Sequence, residues 1–220
     1  MKSLTTYLLP GLGFDHRCFR NLSLPNPRPL DWIEPLRHET LRDYSKRMAE
    51  GIQTDPERTV LIGHSLGGIV AQEIASFRKV AKVILISSIR SRKELPRQFK
   101  VVKPLGVHFL FRKAITRWSF PLWAKSQDYV SPEERSLFLD MLDQNSNHYL
   151  RWSLRQLSNW QGAQPAPACP VIQIHGTRDK TLPFRLVESP DHVIDGGGHF
   201  MVYRRADELT PILRTELATL

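Results

Sequence analysis

The segment Gly63-His64-Ser65-Leu66-Gly67 sets a serine between two glycines. It follows the apolar run Val60-Leu61-Ile62 and opens a helical spacing of apolar residues at Leu66, Ile69, Val70, Ile74 and Phe77. A strand that turns abruptly into a helix strains the backbone of its corner residue and exposes that side chain at the carboxyl edge of a sheet. Glycines on either side let neighbouring backbone pass close to the corner. Three fixed positions arise by chance in many chains, so it is the strand–turn–helix context that makes Ser65 a candidate nucleophile.

A serine hydroxyl is a poor nucleophile near neutral pH and needs a base. The chain has eight histidines. His199 alone combines a place after the last strand-like run with a glycine loop, Asp195-Gly196-Gly197-Gly198, that lets an imidazole reach over the serine. The base in turn needs a carboxylate that fixes its tautomer and stabilises the imidazolium. Asp179 follows the run Val171-Ile172-Gln173-Ile174 through the turn Gly176-Thr177-Arg178, which would put it on the same sheet edge as Ser65. Asp191 and Asp195 are the alternatives, and Ser87-Ser88 occupies another position where an acid can stand. A tetrahedral oxyanion needs two backbone N–H donors. One is expected from Leu66 and the other from Leu12, in the glycine loop Pro10-Gly11-Leu12-Gly13-Phe14. No metal or cofactor is called for.

These groups need strands that end on one edge. Leu4 to Leu9 reads as a strand stopped by Pro10-Gly11, and Leu30-Asp31-Trp32-Ile33 as a short second one. Val60 to Ile62 and Val83-Ile84-Leu85-Ile86 are continuous apolar runs, as expected for strands covered on both faces; Val171-Ile172-Gln173-Ile174 repeats the pattern around one polar residue, and His192-Val193-Ile194 is a weaker version. Thr40 and Asp43 open a helix with apolar positions at Leu41, Tyr44, Met48 and Ile52. The last helix is expected to start with Thr210 as N-cap and Pro211 as its first residue. Strands alternating with helices argue a parallel sheet with helices on both faces. Residues 88–162 break the rhythm. They are rich in aromatics, from Phe99 and Phe109 to Trp152 and Trp160, and include a clear helix start at Ser131-Pro132-Glu133-Glu134. The division expected is a core of residues 1–87 and 163–220 with a helical insertion at 88–162.

The chain's 220 residues, with 41% hydrophobic and 24% charged residues, suit one globular domain. No apolar run approaches the roughly 18 residues of a membrane helix, and the N-terminus does not read as a signal peptide. Cys18 and Cys169 lack redox or zinc spacing, so free thiols in a cytoplasmic protein are the expectation. The net charge of +9 raises nucleic acid as a partner, but the basic residues are spread along the chain and no binding module accompanies them. Arg90, Arg92, Lys93, Arg97, Lys100 and Lys103 form one denser run, either a solvated face or a dock for an acidic carrier protein. Oligomeric state is unreadable.

With Gly63-His64-Ser65-Leu66-Gly67-Gly68, the loop at Gly11, Gly176-Thr177-Arg178-Asp179 and Gly198-His199-Phe200 in place, the chain resembles the α/β-hydrolase superfamily in its small, cap-bearing branch. The order Ser, Asp, His is the order of that family. The resemblance implies a trimmed, mostly parallel sheet of about six strands flanked by helices. It also implies that the helical insertion is a cap setting substrate choice, and that His64 supports the site without doing chemistry. Four readings of function follow. The first is a carboxylesterase working through an acyl-enzyme on a small-molecule ester. The others are a thioesterase or carrier-protein ester hydrolase, cofactor-free lyase or haloperoxidase chemistry, and a non-enzymatic binding protein.

Overall fold

The structure is a computed structural model, and it describes residues 4–100, 112–124 (the side chain of 123 excepted) and 129–220. Lys103 and Phe109 lie outside the described residues. Among the described residues there are six strands: β1 (Thr5–Leu9), β2 (Pro27–Pro29), β3 (Thr59–His64), β4 (Lys82–Ile86), β5 (Val171–Gly176) and β6 (His192–Ile194). They form one sheet in the order β2-β1-β3-β4-β5-β6, and every pairing is parallel. With helices against both faces, this is the α/β-hydrolase fold.

Alternation along the strands explains the two-sided core. Leu8, Val60, Ile62, Ile84, Ile86 and Ile174 belong to one buried cluster, and Tyr7, Leu9, Leu61, Val83 and Leu85 to the other. Successive side chains of a strand point to opposite faces, so a run apolar at every position must be covered twice. One face is covered by α1 (Leu41–Ala49) and α2 (Leu66–Ala75), the other by α7 (Met201–Arg204) and α8 (Ala206–Ala218). Between β4 and β5 lie α3 (Arg97–Lys100), α4 (Lys113–Trp123), α5 (Pro132–Gln144) and α6 (Asn147–Asn159). α5 opens at the expected start, with Ser131 as its N-cap, and the Glu134 side chain completes a capping box. Phe138 and Tyr149 join the first core cluster, while Trp152 and Trp160 join the second. No helix among the described residues is long and apolar enough to cross a membrane.

Two expected elements fall elsewhere. The second strand is Pro27-Arg28-Pro29, not Leu30 to Ile33. It is an edge strand pairing Thr6 with Pro27 and Leu8 with Pro29, a setting in which missing proline N–H groups cost no ladder bonds. Leu30 closes it by donating its N–H to Leu8 O at 2.9 Å. The last helix begins at Ala206, so Pro211 sits inside it and Thr210 is no cap. Leu209, Leu213 and Leu217 are buried along one face. That packing holds the helix across the proline, and Asp207 and Glu208 supply the acidic first turn that favours a helix start.

The strand order places a switch point at β1 and β3. The chain leaves β1 toward β2 on one side and β3 toward β4 on the other, which opens a crevice beyond their carboxyl ends, where ligands bind in open α/β sheets. The loop after β1 holds Leu12 and the turn after β3 holds Ser65. The loops after β5 and β6, on the same edge, hold Asp179 and His199.

Candidate active site

Ser65 has φ 52° and ψ −119°, a conformation that costs a non-glycine residue on the order of 1–3 kcal/mol and persists only where its surroundings over-determine it. They do so here. Its N–H donates to Ile86 O at 3.0 Å, and its carbonyl accepts from Gly68 N at 3.0 Å and from Ser88 Oγ at 2.6 Å. The neighbouring glycines are demanded by contact. A Cβ on Gly67 would stand 2.1 Å from Leu9 O and 2.4 Å from Pro10 O, and one on Gly63 2.4 Å from the Gly67 and Gly68 backbone. Because both obstacles at Gly67 are backbone, Gly67→Ala is expected to lower stability by about 3 kcal/mol or more, read as a fall in urea midpoint. A variant as stable as the wild type would contradict the tight corner.

Ser65, His199 and Asp179 are brought together. His199 Nε2 lies 3.0 Å from Ser65 Oγ, and His199 Nδ1 lies 2.8 Å from Asp179 Oδ2. With Nδ1–H donating to the carboxylate, Nε2 is the acceptor for the serine hydroxyl. Asp179 Oδ1 accepts the N–H groups of Thr181 at 2.9 Å and Leu182 at 2.8 Å. Burial works to raise the Asp179 pKa, but the adjacent His199 and His175 rings and the Leu182 amide outweigh it and hold the carboxyl below its ordinary range. The two other candidate acids are occupied elsewhere. Asp195 accepts from Thr177 Oγ1 at 3.1 Å, tying the two loops together, and Asp191 accepts Gln173 N at 2.7 Å and pairs with Arg90.

Leu12 and Leu66, the expected oxyanion donors, have backbone N–H groups with no acceptor among the described residues. The loop carrying Leu12 is fixed through Gly11, whose carbonyl accepts from Trp32 Nε1 at 3.0 Å and from Phe14 N at 3.0 Å. Leu12, Phe14, Ser65, Phe138, Leu157 and His199 are among the walls of a cavity of about 240 Å3, which Phe99, Tyr129, Leu142 and Leu154 make predominantly apolar. No group of three or more His, Cys, Asp or Glu among the described residues is placed to hold a metal.

Several supporting residues were not singled out from sequence. Trp32 anchors the Leu12 loop and Ser88 holds the Ser65 carbonyl. His175 Nε2 donates to Leu182 O at 2.8 Å and lies 3.4 Å from Asp179 Oδ2. Trp32 and Ser88 stand far from their targets in sequence, so only the folded sheet edge reveals them. His64 is fully buried, and its Nε2–H donates to the carbonyl of His199 at 2.9 Å. In the basic run, Arg90 bonds Val171 O and Ser189 O as well as Asp191, and Arg92 bonds Ser158 O and Trp160 O. Those two guanidinium groups tie chain segments together.

Burial pushes the His64 pKa from 6.5 down to about 3. Between those values the unfolded chain binds a proton that the folded one refuses, so stability is full above pH 6.5 and falls with pH below it. The slope from this group is about 1.4 kcal/mol per pH unit. His64→Gln is expected to flatten the acid limb by that amount between pH 6 and pH 4, measured by urea unfolding. Parallel curves for variant and wild type would refute the assignment.

A sequence model described as the alpha/beta hydrolase family matches residues 4–211. No curated protein matches the chain at the sequence level. Solved structures match along almost its whole length. MenH from S. aureus superposes with a TM-score of 0.75 at 16% identity, covering 100% of this chain and 95% of that one. A bromoperoxidase from Bacillus anthracis gives 0.70 at 16%, covering 99% and 92%. A thermophilic esterase from Thermogutta terrifontis gives 0.68 at 17%, covering 99% and 90%. At these identities the likeness is one of fold.

Proposed function

The chain belongs to the alpha/beta hydrolase family, and from that premise we propose that it is a serine hydrolase cleaving carboxylic esters through an acyl-enzyme. The observation that carries this reading is the unbroken line from Ser65 Oγ through His199 to the buried Asp179 carboxylate. In it, Ser65 Oγ attacks the ester carbonyl while His199 Nε2 takes its proton. Asp179 holds the Nδ1–H tautomer and balances the imidazolium. The Leu12 and Leu66 N–H groups receive the oxyanion. His199 then protonates the leaving alkoxide, and a water deprotonated by the same nitrogen releases the acid.

The insertion at 88–162 is the cap in this account. Phe99, Phe138, Leu142, Leu154 and Leu157 come from it to wall the cavity, so it sets acyl preference. A lining with few polar groups favours a short to medium aliphatic or aromatic acyl chain over a charged one. A panel of p-nitrophenyl esters from acetate to decanoate, with an acyl thioester, a cyanohydrin and a peracid–bromide mixture alongside, tests this. Saturable turnover of uncharged esters is expected. Turnover of the cyanohydrin or bromination without ester hydrolysis would overturn the reading.

A further inference from the structure

A second concavity, of about 500 Å3, lies between the 37–40 segment and α6. Helix α6 separates the two sites. Leu154 and Leu157 reach the Ser65 cavity, while Arg151, Trp152, Arg155 and Gln156 line the other cleft. Arg37 and His38 supply its facing wall. Three arginines from two elements therefore border one cleft.

Their charges are uncompensated. Arg37 and Arg155 make no hydrogen bond or ion pair among the described residues, and the bond recorded for Arg151 uses Nε, to Asn147 O at 3.0 Å. Glu39, the carboxylate lining the cleft, is already neutralised: its oxygens accept from Arg47 at 2.7 and 3.0 Å and from Leu36 N at 2.8 Å. Thr40, also on the cleft, is the N-cap of α1, and a helix N-terminus adds partial positive charge. Elsewhere in the chain Arg47, Arg90 and Arg92 are each tied to carboxylates or carbonyls. Like charges held around a concavity repel unless an anion sits among them.

We propose that this cleft binds a small molecule bearing a di- or triphosphate group. The guanidinium fork matches phosphate oxygens in pairs, three such forks call for more than one negative charge, and the volume is that of a small-ligand pocket. Trp152, 7% exposed and fixed through its Nε1 to Glu39 O at 2.9 Å, gives the cleft a rigid wall.

Calorimetric titration of the full chain at low salt with inorganic tripolyphosphate, with ADP and with tricarballylate tests this without reference to ester turnover. Saturable binding of tripolyphosphate or ADP is expected. The Arg151→Gln/Arg155→Gln pair, and separately Arg37→Gln from the opposite wall, should weaken it at least tenfold and threefold, respectively. Removing two exposed charges elsewhere, Arg28→Gln with Lys93→Gln, should change it less than twofold. Tighter binding of ADP would place a nucleotide in the cleft, and equal or tighter binding of tripolyphosphate a bare phosphate chain. No binding at millimolar probe, equal weakening by the control pair, or tricarballylate binding as tightly as tripolyphosphate would overturn the proposal.

Discussion

Ser65→Ala is expected to lower kcat for ester hydrolysis by roughly 10^4- to 10^6-fold while leaving the fold intact, the scale on which removal of a nucleophile acts in serine hydrolases. Alanine keeps the Cβ and the backbone of the corner, whose bonds to Ile86, Gly68 and Ser88 are made by main-chain atoms of residue 65. What disappears is the Oγ that His199 Nε2 meets at 3.0 Å. Thermal melting should therefore be nearly unchanged as turnover of a p-nitrophenyl ester vanishes. A variant retaining more than about one part in a hundred of wild-type kcat would mean that another group attacks the carbonyl. Ser65→Gly adds a stability readout, because glycine relaxes the left-handed φ of 52° and should melt higher than Ser65→Ala.

Asp179→Asn should cost about 10^4-fold in kcat, the scale set by the same substitution in serine proteases. The carboxylate accepts on both oxygens: His199 Nδ1–H on Oδ2, and the Thr181 and Leu182 N–H groups on Oδ1. A carboxamide can accept on one side only. If its oxygen faces His199, its NH2 opposes two backbone N–H donors inside a buried turn. If it flips, the NH2 donates to His199 Nδ1, so the proton moves to Nε2 and the base can no longer take the serine proton. Either orientation loses. Asp191→Asn and Asp195→Asn should change kcat less than about tenfold, because both carboxylates serve as ties between chain segments. Comparison of kcat/KM across the three variants checks this, and equal losses at Asp195 and Asp179 would contradict the assignment of the acid.

The sheet was legible in the sequence where strands are apolar at nearly every position. Val60 to Ile62, Val83 to Ile86 and Val171 to Ile174 are covered on both faces, and that composition leaves few other structures open. It was not legible at the β2 edge. Pro27-Arg28-Pro29 has no strand signature, and its pairing to β1 depends on an edge that tolerates missing donors. Pro211 misled for a related reason: a proline usually marks a helix start, yet burial of Leu209 and Leu213 carries α8 through it. Ser65 and His199 stand out by local context, a strand–turn–helix corner and a glycine loop, whereas Asp179 is separated from the nearby acids in the sequence largely by elimination. What distinguishes it structurally is the set of partners on both oxygens, supplied by Thr181, Leu182 and His199. The cleft beside α6 had no sequence signal, because Arg37 comes to line the same cleft as Arg151 and Arg155 only through folding.

The central claim is that Ser65 is the nucleophile and His199 its base. The most direct measurement treats the wild type, Ser65→Ala and His199→Ala with a fluorophosphonate and locates the adduct by peptide mass spectrometry. The account predicts one adduct per chain on Ser65 in the wild type, none in Ser65→Ala, and labelling slowed by at least a thousandfold in His199→Ala. An adduct on a different residue, or an unlabelled wild type that still turns over esters, would contradict it.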